Sequence, residues 1–269
     1  MSAAARANSS SWFIRDHAES EFPTAARVYC FPHAGGNPRL FLSWQSDLAD
    51  TAEIAALCLP GRGRRYREPA PTDVAELADA VAREITATAD RPFILLGHSF
   101  GAVLAFEVAR RIGHMPDFRH LVASGCAGPA LLPTQRVVEA ARLEGREFTE
   151  AVGFFGGLPP EVVADETLQE LLLAHLRADF RLVAGYTYRP AAPLTVPVTL
   201  INGLEDPHVG EAALEPWERE CLRPPARHWR EGGHFYFDGR SRTVTDTLRS
   251  LLSGAPGDGH PVDGHVVLI

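Results

Sequence analysis

The sequence predicts an α/β protein with a mostly parallel central sheet, helices on both faces and a helical lid inserted between late strands. Three observations carry this. Short apolar runs alternate with amphipathic runs, as in a parallel sheet covered on both sides. A Gly-His-Ser-Phe-Gly turn joins one apolar run directly to a helical one. Between Gly128 and Pro193 the alternation stops and helical patterns alone remain.

In chain order, MSAAARANSSSWFIRD lacks the apolar core of a secretory signal and reads as a short mobile arm. Ala26–Phe31 (ARVYCF) reads as a strand, Pro32–Pro38 (PHAGGNP) as a glycine-rich loop and Arg39–Leu48 as a helix. Glu53–Leu59 is the second strand, and an arginine- and proline-rich loop, Pro60–Pro71, follows it. Thr72–Ala89 opens on Thr-Asp and repeats apolar residues at Val74, Leu77, Val81 and Ile85, so it reads as an amphipathic helix. Strand Phe93–Leu96, the serine turn and a helix to Ile112 come next. His120–Ser124, Pro197–Asn202 and the short Arg227–Arg230 are the remaining strands, and Arg242–Leu252 is the last helix.

The predicted lid covers about residues 129–192, with helical patterns at Arg136–Leu143, Glu147–Phe155, Asp165–Leu173 and Arg177–Tyr186. One right-handed crossover needs one helix, so four patterns exceed a plain connection. The glycines and prolines of Phe154–Pro160 (FFGGLPP) supply a hinge. Residues 1–252 thus read as one domain and 253–269, rich in Gly, Pro and Asp, as a flexible tail.

Composition narrows the function. The chain has 269 residues, 45% hydrophobic and 22% charged, as in a globular domain. Its net charge of −8 argues against a nucleic-acid partner. All its basic side chains besides histidine are arginine, a mark of a GC-rich genome. No run approaches the roughly 20 apolar residues that span a bilayer. Cys30, Cys58, Cys126 and Cys221 are far apart and form no CxxC pair, which points to buried reduced thiols, no metal site and a cytoplasmic location.

The chemistry lies in Gly97-His98-Ser99-Phe100-Gly101. A G-x-S-x-G placed between strand and helix is the nucleophile-elbow pattern. The serine takes a strained backbone so that its hydroxyl stands above the sheet. Side chains two residues either side of it would collide where strand and helix converge, hence the two glycines. The helix N-terminus adds unpaired N–H groups below it. In this architecture an acid and then a histidine follow. Of eleven histidines, His228, His234, His260 and His265 are late enough. His228 is inside a strand, and His260 and His265 are in the tail, so His234, after Glu231-Gly-Gly, is the base. Asp206, just past Pro197–Asn202, is the acid, with its neighbour Glu205 as the alternative. The preceding strand runs into SGCAGPALLP with no acid before Glu139. An oxyanion hole needs two backbone donors. Phe100, after the serine, offers one, and Ala34, in the PHAGGNP loop, the other. His33 reads as a loop residue without a proton-transfer role. The arginines of Leu59–Pro69 (LPGRGRRYREP) are the densest positive patch.

Phe31-Pro-His-Ala-Gly-Gly, Leu59-Pro-Gly-Arg-Gly-Arg-Arg, Gly97-His-Ser-Phe-Gly-Ala, Asp206 and Gly-Gly-His234-Phe together resemble the stand-alone type II thioesterases of polyketide and nonribosomal peptide synthesis, from about Ser11 to Leu252. The resemblance implies an α/β-hydrolase fold with a helical lid, a triad at Ser99, Asp206 and His234, and oxyanion donors at Ala34 and Phe100. It implies hydrolysis of acyl thioesters held on the phosphopantetheine arm of acyl or peptidyl carrier proteins, clearing aberrant or stalled acyl groups in antibiotic biosynthesis. Release of a finished chain and small-molecule ester hydrolysis are the alternatives. No cofactor or metal is implied, and the protein is expected to be a cytoplasmic monomer that meets its carrier as a separate partner, with the arginine loop toward the carrier or its phosphate. Two features depart from the family: the Glu-Asp-Pro-His run and the long C-terminal tail.

Overall fold

The computed structural model describes residues 12–15, 25–156, 158, 162 and 166–253. Seven strands form one sheet: β1 (Phe13–Arg15), β2 (Ala26–Phe31), β3 (Ala52–Leu57), β4 (Phe93–His98), β5 (Phe118–Ser124), β6 (Val198–Gly203) and β7 (Ala226–Arg230). Their order across the sheet is β1-β3-β2-β4-β5-β6-β7. β1 is antiparallel to β3, and the other pairs are parallel. β2 and β4 are buried from end to end, which is why they read as mainly apolar runs rather than alternating ones.

The helices are α1 (Arg39–Leu42), α2 (Gln45–Leu48), α3 (Val74–Thr88), α4 (Phe100–Ile112), α5 (Gln135–Ala140), α6 (Gly145–Gly153), α7 (Glu166–Ala184), α8 (Glu211–Leu214) and α9 (Arg242–Ser253). Tyr29, Phe31 and Leu95 point into a core with α3 and α4. Val28, Cys30, Ile94 and Leu96 point to the opposite core, with Trp44, Phe237 and α9. The Asp73 side chain caps α3, accepting the Glu76 N–H at 2.9 Å. All four apolar residues expected on its buried face are buried. Helix α4 is buried on nearly every side, as the central helix must be. Glu107 within it is held by Arg110, Arg111 and the Tyr186 hydroxyl, the last at 3.0 Å.

Three expectations are corrected. Phe13–Arg15 is a strand, not part of a mobile arm. It pairs with β3, and the Phe13 ring packs 4.7 Å from that of Tyr29. Three residues are too few for a periodic signal. The single helix expected at Arg39–Leu48 is two short ones. Between them the Ser43 hydroxyl donates to the Leu40 carbonyl, and the Gln45 amide turns away to bond Ala52 O and Ile54 N. In the insertion, the patterns Asp165–Leu173 and Arg177–Tyr186 are one helix, α7, because no glycine or proline separates them. The insertion does lie between β5 and β6, with its own core around Phe148, Val152 and Phe180. Part of the expected hinge (157, 159 and 160) and the tail from 254 lie outside the described residues. All four cysteines are buried and free. Among the described residues no helix is long and apolar enough to cross a membrane.

On β5, His120 Nε2 lies 2.8 Å from the Thr199 hydroxyl of β6. Burial lowers its pKa from 6.5 to about 4. Folded, it stays neutral down to about pH 4; unfolded, it takes a proton below about 6.5. Acidification through that window therefore favours the unfolded chain. His120→Gln, which keeps a polar partner for Thr199, should recover roughly 1–2 kcal/mol of the stability lost between pH 7 and pH 5. Urea denaturation at both pH values reads this, and an unchanged pH slope would refute it.

Candidate active site

The chain turns from β4 into α4 within one residue, and that residue is Ser99. Its φ of 55° and ψ of −120° make it the one non-glycine residue with positive φ among those described. The flanking glycines explain how the turn closes. A Cβ on Gly97 would lie 2.2 Å from the Gly101 carbonyl oxygen, and one on Gly101 2.0 Å from that of Phe31. The Ser99 N–H donates to Ser124 O at 2.8 Å, tying the elbow to β5.

The ends of β6 and β7 lead into the loops that carry Asp206 and His234. The loop after β7 folds back over β6 so closely that a Cβ on Gly203 would meet the Gly233 carbonyl oxygen at 2.1 Å. This brings the His234 ring to Asp206, where Nδ1 donates to Oδ2 at 2.7 Å. Asp206 Oδ1 accepts the His208 N–H at 2.8 Å, so both carboxylate oxygens are engaged. Burial by itself would lift this carboxyl. The hydrogen bond and charge of His234, with the His208 N–H, outweigh it and hold the group below its ordinary value of 3.8. Asp206 is ionised, and Nε2 of His234 is the nitrogen left for a proton from elsewhere. Glu205, the alternative acid, is exposed and does not touch the histidine; the strand's end turns it outward.

Three other histidines crowd His234. The ring of His98 is 4.8 Å from that of His234, that of His208 is 5.3 Å away, and His33 stands 5.9 Å from His98. Burial, reinforced by the charge of His234, pushes His98 well below its usual value and His33 to about 4. The same two causes lower His208. All three are thereby held toward the neutral form. His98 is also fixed from below: its Nδ1 lies 2.9 Å from the Ser124 hydroxyl, itself 2.7 Å from that of Tyr236.

Ala34 sits in a turn closed by the Gly36 N–H donating to His33 O at 2.8 Å. Among the described residues neither the Ala34 nor the Phe100 N–H has an acceptor. Ser99 and His234 line two cavities at once, with Phe155 as the wall between them. One, of about 220 Å³, also takes in Ala34, Val152, Leu176 and Phe180. The other, of about 250 Å³, takes in Phe100, Val103, Leu132 and Val137 beside Thr134, Arg136 and His208, and both are mainly apolar. Phe155 is seated by stacking on His208 at 4.7 Å and by an edge contact with Phe180 at 5.2 Å. No group of three His, Cys, Asp or Glu side chains placed to hold a metal occurs among the described residues.

The arginine loop, expected to face a partner, is built into the fold at Arg62 and Arg65, while Arg64 and Arg67 are exposed. Arg62 is buried and makes a two-pronged pair with Asp179 of α7, at 2.8 and 2.5 Å. Arg65 is buried, pairs with Glu68 and lies 3.7 Å over the Trp12 ring. Arg64 is exposed but donates to Phe13 O at 2.6 Å. The loop staples β1 and α7 to the sheet. The sequence reading missed Asp179, Phe155 and His208. Asp179 alone left a signal, an acid on the apolar stripe Leu176, Phe180, Val183.

The Thioesterase domain family model matches residues 26–252. The chain is 35% identical over 242 residues to the AMB antimetabolite synthetase AmbE of Pseudomonas aeruginosa; the match covers 88% of this chain but only 11% of that far longer protein. It is 32% identical over 256 residues to the thioesterase PikA5 of Streptomyces venezuelae, covering 91% of this chain and 88% of PikA5. The structure of the type II thioesterase BorB from the borrelidin biosynthetic cluster superposes with a TM-score of 0.79 at 29% identity, over 90% of this chain and 97% of BorB.

A fluorophosphonate should label Ser99, and Ser99→Ala should abolish the labelling. Asp206→Asn should slow it by about 10³–10⁴-fold, as loss of the orienting acid does elsewhere. Glu205→Gln should leave the rate unchanged within about two-fold, as for an exposed residue with no catalytic contact. Slowing by Glu205→Gln as large as that by Asp206→Asn would reverse the assignment.

Proposed function

The chain belongs to the thioesterase family, and from that premise we propose that it hydrolyses acyl thioesters carried on the phosphopantetheine arm of acyl or peptidyl carrier proteins. In this reading it is a type II thioesterase that removes aberrant or stalled acyl groups during polyketide or nonribosomal peptide biosynthesis. The observation that carries it is the placing of Ser99 and His234 where the two cavities meet. An acyl thioester has an apolar chain on one side of its carbonyl and a long polar arm on the other. The cavity with Val152, Leu176 and Phe180, walled by the insertion acting as a lid, suits the acyl chain. The other is equally apolar but carries Thr134, Arg136 and His208 as polar groups, and suits the arm. The names of PikA5, a thioesterase, and BorB, of a biosynthetic cluster, agree with this class.

The chemistry is acyl transfer in two steps. The Ser99 hydroxyl attacks the thioester carbonyl while its proton passes to Nε2 of His234. The carbonyl oxygen becomes an oxyanion, met by the N–H groups of Ala34 and Phe100. Asp206 holds the ring and offsets its positive charge. Collapse breaks the carbon–sulfur bond, and the thiolate takes the proton from His234; with a thiol pKa of about 8.5 it leaves easily. Water then attacks the acyl-serine, giving its proton to His234, and the second collapse returns the proton to Ser99 and frees the acid. The residues needed for each proton are in the chain, and we propose no cofactor. The carrier is a separate macromolecule, and the cytoplasm is the proposed compartment.

Two tests follow from the cavities. Purified protein should cleave an acyl-carrier thioester with kcat/KM at least about ten-fold above that for an oxygen ester of the same acid, since the ester lacks the arm and its binding energy. Equal rates would favour a small-molecule esterase. Phe155→Ala should merge the cavities and shift preference toward longer acyl chains by about 10-fold, the scale of a few methylenes in an apolar pocket. An unaltered profile across a C4–C14 panel would remove Phe155 from the cavity wall.

A further inference from the structure

Asp179 has a carboxylate that the reaction does not use, yet it is among the most deeply buried charges in the molecule, with 1% of its side chain exposed. Its Oδ2 accepts two bonds, from the Gly35 N–H at 2.7 Å and from Arg62 Nη1 at 2.8 Å. Oδ1 takes the second Arg62 bond at 2.5 Å. The carboxylate thus joins α7, the arginine loop and the loop that carries Ala34.

The Gly35 bond matters because of what flanks Ala34. The peptide before its Cα is fixed inside the turn, His33 O accepting from Gly36 N–H at 2.8 Å. The peptide after it, Ala34–Gly35, has its N–H held by Asp179. Gly35 has φ +73°, the third position of a turn whose central peptide can flip at little cost in a glycine. With that bond gone, the direction of the Ala34 N–H rests on the His33–Gly36 bond alone. Arg62 has a matching role. A bare carboxylate one residue from an oxyanion donor would oppose the negative charge that forms there, and the two-pronged guanidinium cancels it. Gly35 also touches α7 directly: a Cβ there would lie 2.8 Å from Leu176 Cδ1, and Leu176 lines the cavity that takes in Ala34.

We propose that Asp179 is a positioning residue for the oxyanion hole. Neutralised by Arg62, it fixes the Ala34–Gly35 peptide and makes the hole complete only when α7 is seated over the site. The proposal rests on the reading of Ala34 as an oxyanion donor.

Asp179→Asn keeps the side chain's shape but sets an amide donor against Arg62. With the full chain and an acyl-N-acetylcysteamine thioester, kcat per Ser99 titrated should fall about 10- to 100-fold, less than the 10²–10³ for outright loss of a donor. KM should change by less than about three-fold, since the hole is filled in the transition state. Affinity for a trifluoromethyl ketone, whose tetrahedral adduct places an oxyanion in the hole, should fall by the same factor as kcat. Arg62→Lys, which keeps the charge but not the fork, should show the same pattern with a smaller drop, and it decides the matter if Asp179→Asn is insoluble. A purely structural residue would lower the melting temperature and leave kcat and adduct affinity unchanged; that result, or a loss confined to KM, overturns the proposal. Amide exchange at Gly35 gives a readout independent of the reaction. It should quicken at least about ten-fold in Asp179→Asn, and an unchanged rate overturns the proposal. Wild-type protein inactive on every thioester would count against the thioesterase reading instead, leaving the Gly35 exchange to decide the role of Asp179.

Discussion

A Cβ on Gly101 would lie 2.0 Å from the Phe31 carbonyl oxygen, and one on Gly97 2.2 Å from that of Gly101. These two absences let β2, β4 and the first turn of α4 occupy nearly the same space. The chain must then reverse within a single residue, and Ser99 accepts φ 55° to do it. Such a conformation costs about 1–3 kcal/mol. The burial of α4 on almost all sides offsets it many times over, since each fully buried Val, Leu or Phe contributes about 1.5–3 kcal/mol. The turn sets Ser99 in the wall of both cavities and leaves the Phe100 N–H without an acceptor among the described residues. The same economy recurs at Gly203, where a missing side chain lets the loop bearing His234 close over β6.

The electrostatics share one logic. The proposed reaction would form an imidazolium and an oxyanion here, and such a site cannot tolerate stray charges nearby in a medium of low dielectric. His33, His98 and His208 surround His234 and are held toward the neutral form, chiefly by burial. Asp206 is the carboxylate bonded to His234, and its lowered pKa keeps it ionised. The other carboxylate near the loops, Asp179, is cancelled by Arg62. Either partner alone would leave a buried charge uncompensated, at about 3–5 kcal/mol. The pair is therefore weak as a source of net stability and strong as a constraint on geometry.

Most of the frame was legible because it follows from local rules. The elbow glycines, the capped helix α3 and the apolar strands each declare themselves within a dozen residues. The order serine, acid, histidine singled out His234, and left Asp206 against Glu205 to a one-residue rotation at a strand's end. What stayed hidden depends on distance or on charge. β1 is three residues long and gains its place from β3 and from Trp12 stacking under Arg65. The arginines of the Leu59–Pro69 loop resembled a solvated surface, since charge in a loop ordinarily faces water. Their partners lie as far as Asp179, 117 residues away, and no local pattern announces such a pair.

The insertion packs largely on itself: Phe148, Phe155 and Phe180 form its core, edge to face at 5.2–5.6 Å. Apolar surfaces of this kind tolerate sliding, because dispersion and burial are nearly non-directional. A helix seated by such contacts alone would find several registers over the site. The directional contacts sit elsewhere: Asp179 on Gly35 and Arg62 in the middle of α7, and Tyr186 on Glu107 just beyond its end. Two polar anchors along one helix fix both its position and its rotation. Neither anchor is part of the wall of the cavity that takes in Ala34. The separation lets the wall residues Val152 and Phe180 change size, and with them the shape of the bound chain, while the Ala34–Gly35 loop keeps its geometry. A fold arranged this way can vary what it binds without rebuilding how it reacts.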